Sequence, residues 1–288
     1  MQSHSTPAGL FIGLTTFDLV HYVECFPRAD EKIQAQARWT GAGGPAANAA
    51  AAFAALGGQA RLLTAVGDGP LAKVAVEDLT ELGVEVVDLA NQGELPTSSA
   101  VVDESGQRTV VSLNAMGFDQ EAMVKRLPEA QAVDVVSIDS HYPALVNSVL
   151  DEVRDQRVPV VFDPGSHKPH VFDLMARCDH VIASRSLDPE ASADDLLERI
   201  AERDVALAAV SAGPQPIPIA IGNRRQTLSV PQITARDTVG AGDILHGAYA
   251  YFVATGHPPL DALDRAAGIA AESCERHGAR VNSNQEVD

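Results

Sequence analysis

Short apolar runs alternate with helix-period segments along almost the whole of this 288-residue chain. Runs 10–14, 60–66, 84–88, 133–138, 159–162, 180–183 and 206–211 read as strands. Segments 45–56, 71–82, 120–126, 144–155, 193–203, 243–255 and 260–276 read as helices. Strands that each hand on to a helix predict an α/β fold, with a doubly wound, mostly parallel sheet covered on both faces. Sheets of this kind bind ligands beyond the carboxyl ends of their strands, so chemistry is expected in the loops there. Two stretches break the rhythm. Runs 19–23 and 33–39 flank a turn at 27–30, and runs 98–102 and 108–113 flank Glu104-Ser105-Gly106. Both are half-apolar hairpins, which predicts a small antiparallel layer spanning about 18–40 and 97–114. That layer reads as a lid, as a dimer surface through uncovered strand edges, or as both. With no linker or repeat, residues 1–288 read as a single domain whose polar tail, 282–288, frays.

Charge and cysteines narrow the class. The formal net charge of −18 repels nucleic acid and acidic membrane surfaces, so neither is an expected partner. A small anion is still compatible, because a local nest of N–H groups outweighs a global field. Cys25, Cys178 and Cys274 are odd in number and far apart, which fits a reducing cytoplasm and no disulfide framework. Residues 1–9 lack the basic region of a signal peptide, and no apolar run approaches a membrane span.

The stretch richest in chemistry is Asp237-Thr238-Val239-Gly240-Ala241-Gly242-Asp243, followed at once by an apolar helix pattern. A small-residue turn feeding a helix start points several free N–H groups and the positive end of the helix dipole at one place. An anion fits there. Asp243 on the rim reads in two ways, as an N-cap or as a proton acceptor. A second small-residue cluster, Gly41-Ala42-Gly43-Gly44-Pro45-Ala46-Ala47-Asn48, opens an alanine-rich helix and permits close backbone approach. The Asn48 amide suits sugar hydroxyls, or sits on the exposed face of a surface helix. Gly41-x-Gly43-x-x-Ala46 also matches a loose dinucleotide fingerprint, which motivates a dinucleotide-dependent oxidoreductase as one rival reading. No Walker-type P-loop occurs.

Together, Gly43-Gly44-Pro45-Ala46-Ala47-Asn48 and the late D-T-x-G-A-G-D heptad resemble the two signatures of the ribokinase-like (PfkB) carbohydrate kinase family. The likeness spans nearly the whole chain, with Asp18 near the start and the hairpins between, and looks most similar to the ketohexokinase-type and sulfofructose kinase-like branch. It implies a cytoplasmic enzyme moving the γ-phosphoryl group of ATP, with Mg²⁺, to a primary hydroxyl of a ketose or related sugar. On this likeness Asp243 is the base, and the N–H groups of Gly240, Ala241 and Gly242 form the anion hole. Asp18, Gly43, Gly44 and Asn48 would hold the sugar, and Asp237 a monovalent cation such as K⁺ together with carbonyls around 276–278.

The chain also departs from the family pattern. Ser184-Arg185-Ser186-Leu187 stands where an N-x-x-E element is usual, and Ser211-Ala212-Gly213-Pro214-Gln215-Pro216 where T-x-G-x-x-G is usual. Ser184, Ser211, Gly213 and Gly242 are thus the implied nucleotide contacts. Asp163-Pro164-Gly165-Ser166-His167 resembles D-P-N-x-R with two replacements. The missing N-x-x-E motivates the second rival, a sugar or nucleotide sensor without catalysis. Lys32, Asn114 and His141 are candidates for reading a polar or anionic group on the substrate, or are solvated side chains. His246, one turn beyond Asp243, reads as a ligand contact or a packed polar residue, and His167 with His170 as a weak metal pair.

Overall fold

The computed structural model describes residues 6–114, 117–278 and 280–281; the tail 282–288 lies outside the described residues. In chain order the first elements are β1 (Ala8–Ile12), β2 (Thr16–Tyr22), β3 (Ala37–Gly43), α1 (Pro45–Ala55), β4 (Gln59–Thr64), α2 (Pro70–Glu81) and β5 (Val84–Asp88). Next come β6 (Thr97–Val102), β7 (Arg108–Ser112), α3 (Gln120–Val124), β8 (Val135–Asp139), α4 (Pro143–Val153), β9 (Val160–Asp163), α5 (Val171–Met175) and β10 (His180–Ser184). The chain finishes with α6 (Ala193–Ala201), β11 (Leu207–Ser211), β12 (Ile217–Ile221), β13 (Arg224–Leu228), α7 (Ala241–Ala254) and α8 (Pro259–Ser273). Four of the helices, α1, α2, α4 and α8, open on proline, whose missing N–H is one the first turn would leave unpaired anyway.

Nine strands form one sheet in the order β13-β12-β11-β10-β9-β8-β1-β4-β5. From β11 to β5 every neighbouring pair is parallel. Every residue of β8 is buried, as a strand covered on both faces requires. One face packs on α1, α2, α7 and α8, the other on α3, α4, α5 and α6, giving two apolar layers. No described helix is long and apolar enough to cross a membrane.

A second sheet, in the order β3-β2-β6-β7, lies apart from the first. It comprises two antiparallel pairs, β2 with β3 and β6 with β7, joined by a parallel pairing of β2 with β6. Its strands cover residues 16–22 and 37–43 instead of the expected 19–23 and 33–39, because pairing with Thr16 and Asp18 draws Gly43 and Gly41 into β3. Burial alternates along β2, and Val20, Tyr22, Trp39, Ala100 and Val102 cluster on one face with Val239 against them. β7 is exposed throughout, with Val111 at 73%.

The β12–β13 hairpin extends the large sheet antiparallel and was not anticipated, although Gly222-Asn223 at its turn is a two-residue hairpin signal. At five residues α5 is too short to show a helical period.

The spacing of α1 and α7 is set by one close approach. A Cβ added at Gly247 of α7 would lie 2.1 Å from the Ala49 carbonyl oxygen of α1, so only glycine lets these helices meet at this distance. Gly247→Ala is therefore expected to lower stability by about 1–3 kcal/mol in urea unfolding. Unchanged stability would show slack between α1 and α7.

Candidate active site

The carboxyl ends of the parallel strands converge on the start of α7. Gly240 is its N-cap in a left-handed conformation (φ 70°), which lets the chain turn sharply into the helix without a side-chain cap. Ala241, Gly242 and Asp243 form the first turn, where N–H groups have no intrahelical acceptor. Ala241 N–H reaches Thr238 O at 3.4 Å, while Gly242 lies exposed at the helix mouth. The result is a ready anion cradle.

The Asp243 carboxylate does not cap this helix. It accepts a 2.7 Å hydrogen bond from Asn48 Nδ2 on α1 instead. Burial pushes its pKa up to about 7, and the nearby Asp163 carboxylate pushes in the same direction; Asn48, His246 and Arg108 oppose them. A carboxylate poised near neutrality at an anion cradle is suited to taking a proton at physiological pH.

Asn48 is buried, contrary to the exposed-face reading, and both ends of its amide are engaged. Its Oδ1 accepts from Arg280 Nη1 at 3.0 Å. Arg280, 2% exposed, also donates to Ala42 O at 2.6 Å and to Asp78 Oδ2 at 2.8 Å, with its guanidinium over the Trp39 ring. Asp78 Oδ2 in turn accepts from Ala42 N–H. This chain of contacts runs from a buried cation through an amide to Asp243 and fixes the carboxylate's direction. Asn48 thus holds Asp243, a role that stands beside the sugar-hydroxyl contact expected of it.

Asp18 stands beside this network, buried on β2, with Thr16 Oγ1 donating to its Oδ1 at 2.6 Å. Burial raises its pKa, opposed by the Thr16 bond and by Arg280. A Cβ at Gly43 would lie 2.0 Å from Asp18 Oδ2, and one at Gly44 (φ 94°) 2.4 Å from Leu14 O, so both glycines make room for the carboxylate and the β1–β2 turn. At the end of β8, Asp139 accepts from Leu14 N–H and His141 N–H and lies 3.1 Å from His141 Nδ1. This orients the buried His141 ring and leaves Nε2 without a partner among the described residues.

Asp237 is buried beneath the cradle. Its Oδ2 accepts from Tyr22 OH at 2.6 Å and Gly278 N–H at 2.9 Å, and its Oδ1 from Val239 N–H at 2.8 Å. The small sheet touches the same loop twice more, through Thr238 Oγ1 to Gly106 O and Arg108 Nη1 to Thr238 O.

Other expected residues are more peripheral. Lys32 and Asn114 are exposed, and Asn114 Oδ1 accepts only a neighbouring hydroxyl, that of Ser112. Ser184 ends β10 and caps the short 3-10 turn Arg185–Leu187, while Ser211 ends β11 with its hydroxyl on Ala183 O. Gly213 (φ 58°) faces open space. His246 spends both ring nitrogens on carbonyls, Gly242 O and Ile182 O, so it is a packed polar residue. His170 bonds Ser140 O, His167 is exposed, and no metal-ligating cluster occurs among the described residues. Gly41 and Gly43 lie within β3 of the small sheet and not in a turn after a core strand, which removes the dinucleotide-fingerprint reading. Asp163, Arg280, Tyr22, Asp78 and Arg108 were not singled out from sequence as site residues; the Asp of D-P-G offered the one local signal.

Comparison with known proteins shows the family and the fold. The model of the pfkB family of carbohydrate kinases matches residues 10–286. An ATP-dependent ribose-1-phosphate kinase of Halopiger xanaduensis is 26% identical, covering 94% of this chain and 93% of its own. Mouse ketohexokinase is 21% identical, covering 93% of this chain and 96% of its own. Ribokinase from Thermotoga maritima superposes with a TM-score of 0.74 at 20% identity over 96% of this chain and 95% of its own, a likeness of fold.

The raised Asp243 pKa has a consequence for stability. The folded chain holds this proton to higher pH than the unfolded chain, so stability falls as pH rises from about 4 to about 7 and then levels off. Asp243→Asn is expected to be more stable than wild type near pH 8, by up to about 4 kcal/mol, the gap closing towards pH 4. Denaturation at the two pH values checks this; a gap independent of pH would contradict it.

Proposed function

Because the chain belongs to the pfkB family of carbohydrate kinases, we propose that it moves the γ-phosphoryl group of ATP to a primary hydroxyl of a ketose or related sugar, with Asp243 as the base. The observation that carries this reading is the Asp243 carboxylate, pushed up to about 7 and fixed by Asn48 at the mouth of the α7 cradle. A base near neutrality is both largely ionised and able to receive the hydroxyl proton. Gly240, Ala241 and Gly242 would hold the charge on the transferred group through backbone N–H groups at the start of α7, Ala241 releasing its long contact to Thr238 O. Arg108, reaching the same loop from β7, adds positive charge on the opposite side.

The sugar would lie between Asp18, Gly43 and Gly44 on one side and His141 on the other. Buried Asp18 offers an acceptor for hydroxyls, and the unpartnered His141 Nε2 another. Lys32 and Asn114 would close over it from the small sheet, which acts as the lid of a single kinase domain. Ser184, Ser211 and Gly213, at the ends of β10 and β11, border the nucleotide. A divalent cation, when bound, would supply positive charge against the phosphates. Mg²⁺ takes most of its ligands from phosphate and water, so one protein carboxylate is enough. Asp163, half-buried and close enough to act on Asp243, is the residue this chain offers for it.

The exposed edge strand β7, with Val110, Val111 and Leu113 uncovered, supports pairing of two copies through the lid. Three unpaired cysteines support a reducing cytoplasm.

The test is ADP release over a panel of ketoses, aldoses, nucleosides and phosphorylated or sulfonated sugars. A ketose or related sugar is expected to be phosphorylated, with kcat/KM falling below about pH 7 as Asp243 protonates in the free enzyme. Asp243→Asn is expected to lose about 10²–10⁴-fold in kcat while still binding both substrates. Retained turnover would remove Asp243 from the mechanism, and sugar-dependent thermal stabilisation without any turnover would favour the sensor.

A further inference from the structure

The family resemblance places a monovalent cation at Asp237, and among the described residues the donor set does not fit one. A cation needs lone pairs turned towards it. Here both lone pairs of Asp237 Oδ2 are taken, by Tyr22 OH and Gly278 N–H, and one of Oδ1 by Val239 N–H. Two of the expected carbonyls, those of His277 and Gly278, are turned elsewhere. In a trans peptide the carbonyl points opposite to the following N–H, so a Gly278 N–H aimed at Asp237 directs the His277 carbonyl away from it. Gly278 O accepts from Arg280 N–H. Tyr22 is fixed, packed edge-on against His277, and it stays a donor because burial and then the Asp237 carboxylate push its phenol up.

Resting on the kinase reading above, we propose that hydrogen bonds from Tyr22, Gly278 and Val239 replace the monovalent cation at Asp237, making turnover independent of K⁺. Tyr22 is then a positioning residue. Its β2 strand also carries Asp18, so the hydroxyl ties the sugar side of the small sheet to the loop that leads into Gly240. In a cation-dependent relative that loop is set by the ionic medium; in this chain it is set by the seating of the lid.

Turnover and melting temperature are compared in KCl and in tetramethylammonium chloride at equal ionic strength. Rates within about twofold and equal melting temperatures are expected, since an ion with no site in the folded state shifts neither. A K⁺-specific rise in rate of about fivefold or more, or a K⁺-specific rise in melting temperature, overturns the proposal. Absence of turnover in both salts counts against the kinase reading, while the melting comparison still decides the cation question. Tyr22→Phe keeps the ring packing and is expected to lower kcat about tenfold with the sugar KM unchanged. Wild-type kcat in that variant overturns the role of Tyr22.

Discussion

The hydrogen bond from Asn48 to Asp243 is the contact on which the rest of the site depends. It joins the start of α1, next to the glycine pair, to the start of α7, which carries the anion cradle. Two helices meet this closely only because Gly247 presents no side chain to Ala49 O. Behind Asn48, Arg280 pulls on the amide oxygen and is itself neutralised by Asp78. A buried carboxylate without such a partner would rotate or stay protonated to higher pH; with it, the group is held in one direction near neutrality.

Around that contact the two sheets divide the chemistry. The large sheet supplies the cradle, Asp163 and the strand ends proposed to border the nucleotide. The small sheet supplies Asp18 and closes on the heptad through Tyr22, Gly106 and Arg108. The small sheet and the anion loop are therefore mechanically linked, which on the proposed kinase reading would let closure over seated substrates expel water.

Much of the frame was legible in the sequence because local physics wrote it there. Alternating apolar runs and helical periods require a covered parallel sheet, and a Gly-Ala-Gly turn before a helix announces an anion site. Gly43, Gly44 and Asp18 were identifiable because they lie in short motifs. Asn48 was legible as important, but its hold on Asp243 was not, since its partners come from 195 and 232 residues away. Tyr22 meets Asp237 across 215 residues, and no local pattern distinguishes it from any other strand tyrosine. The raised pKa of Asp243 was equally hidden, because it arises from burial and from Asp163, a neighbour only in the folded state.

Whether Asp243 is poised as a base is decided most directly by titrating its carboxyl, followed by ¹³C chemical shift in the ligand-free protein, with Asp243→Asn to assign the signal. The expected midpoint is about 7, held there by burial and Asp163. A midpoint near the ordinary aspartate value of about 4 would contradict that role.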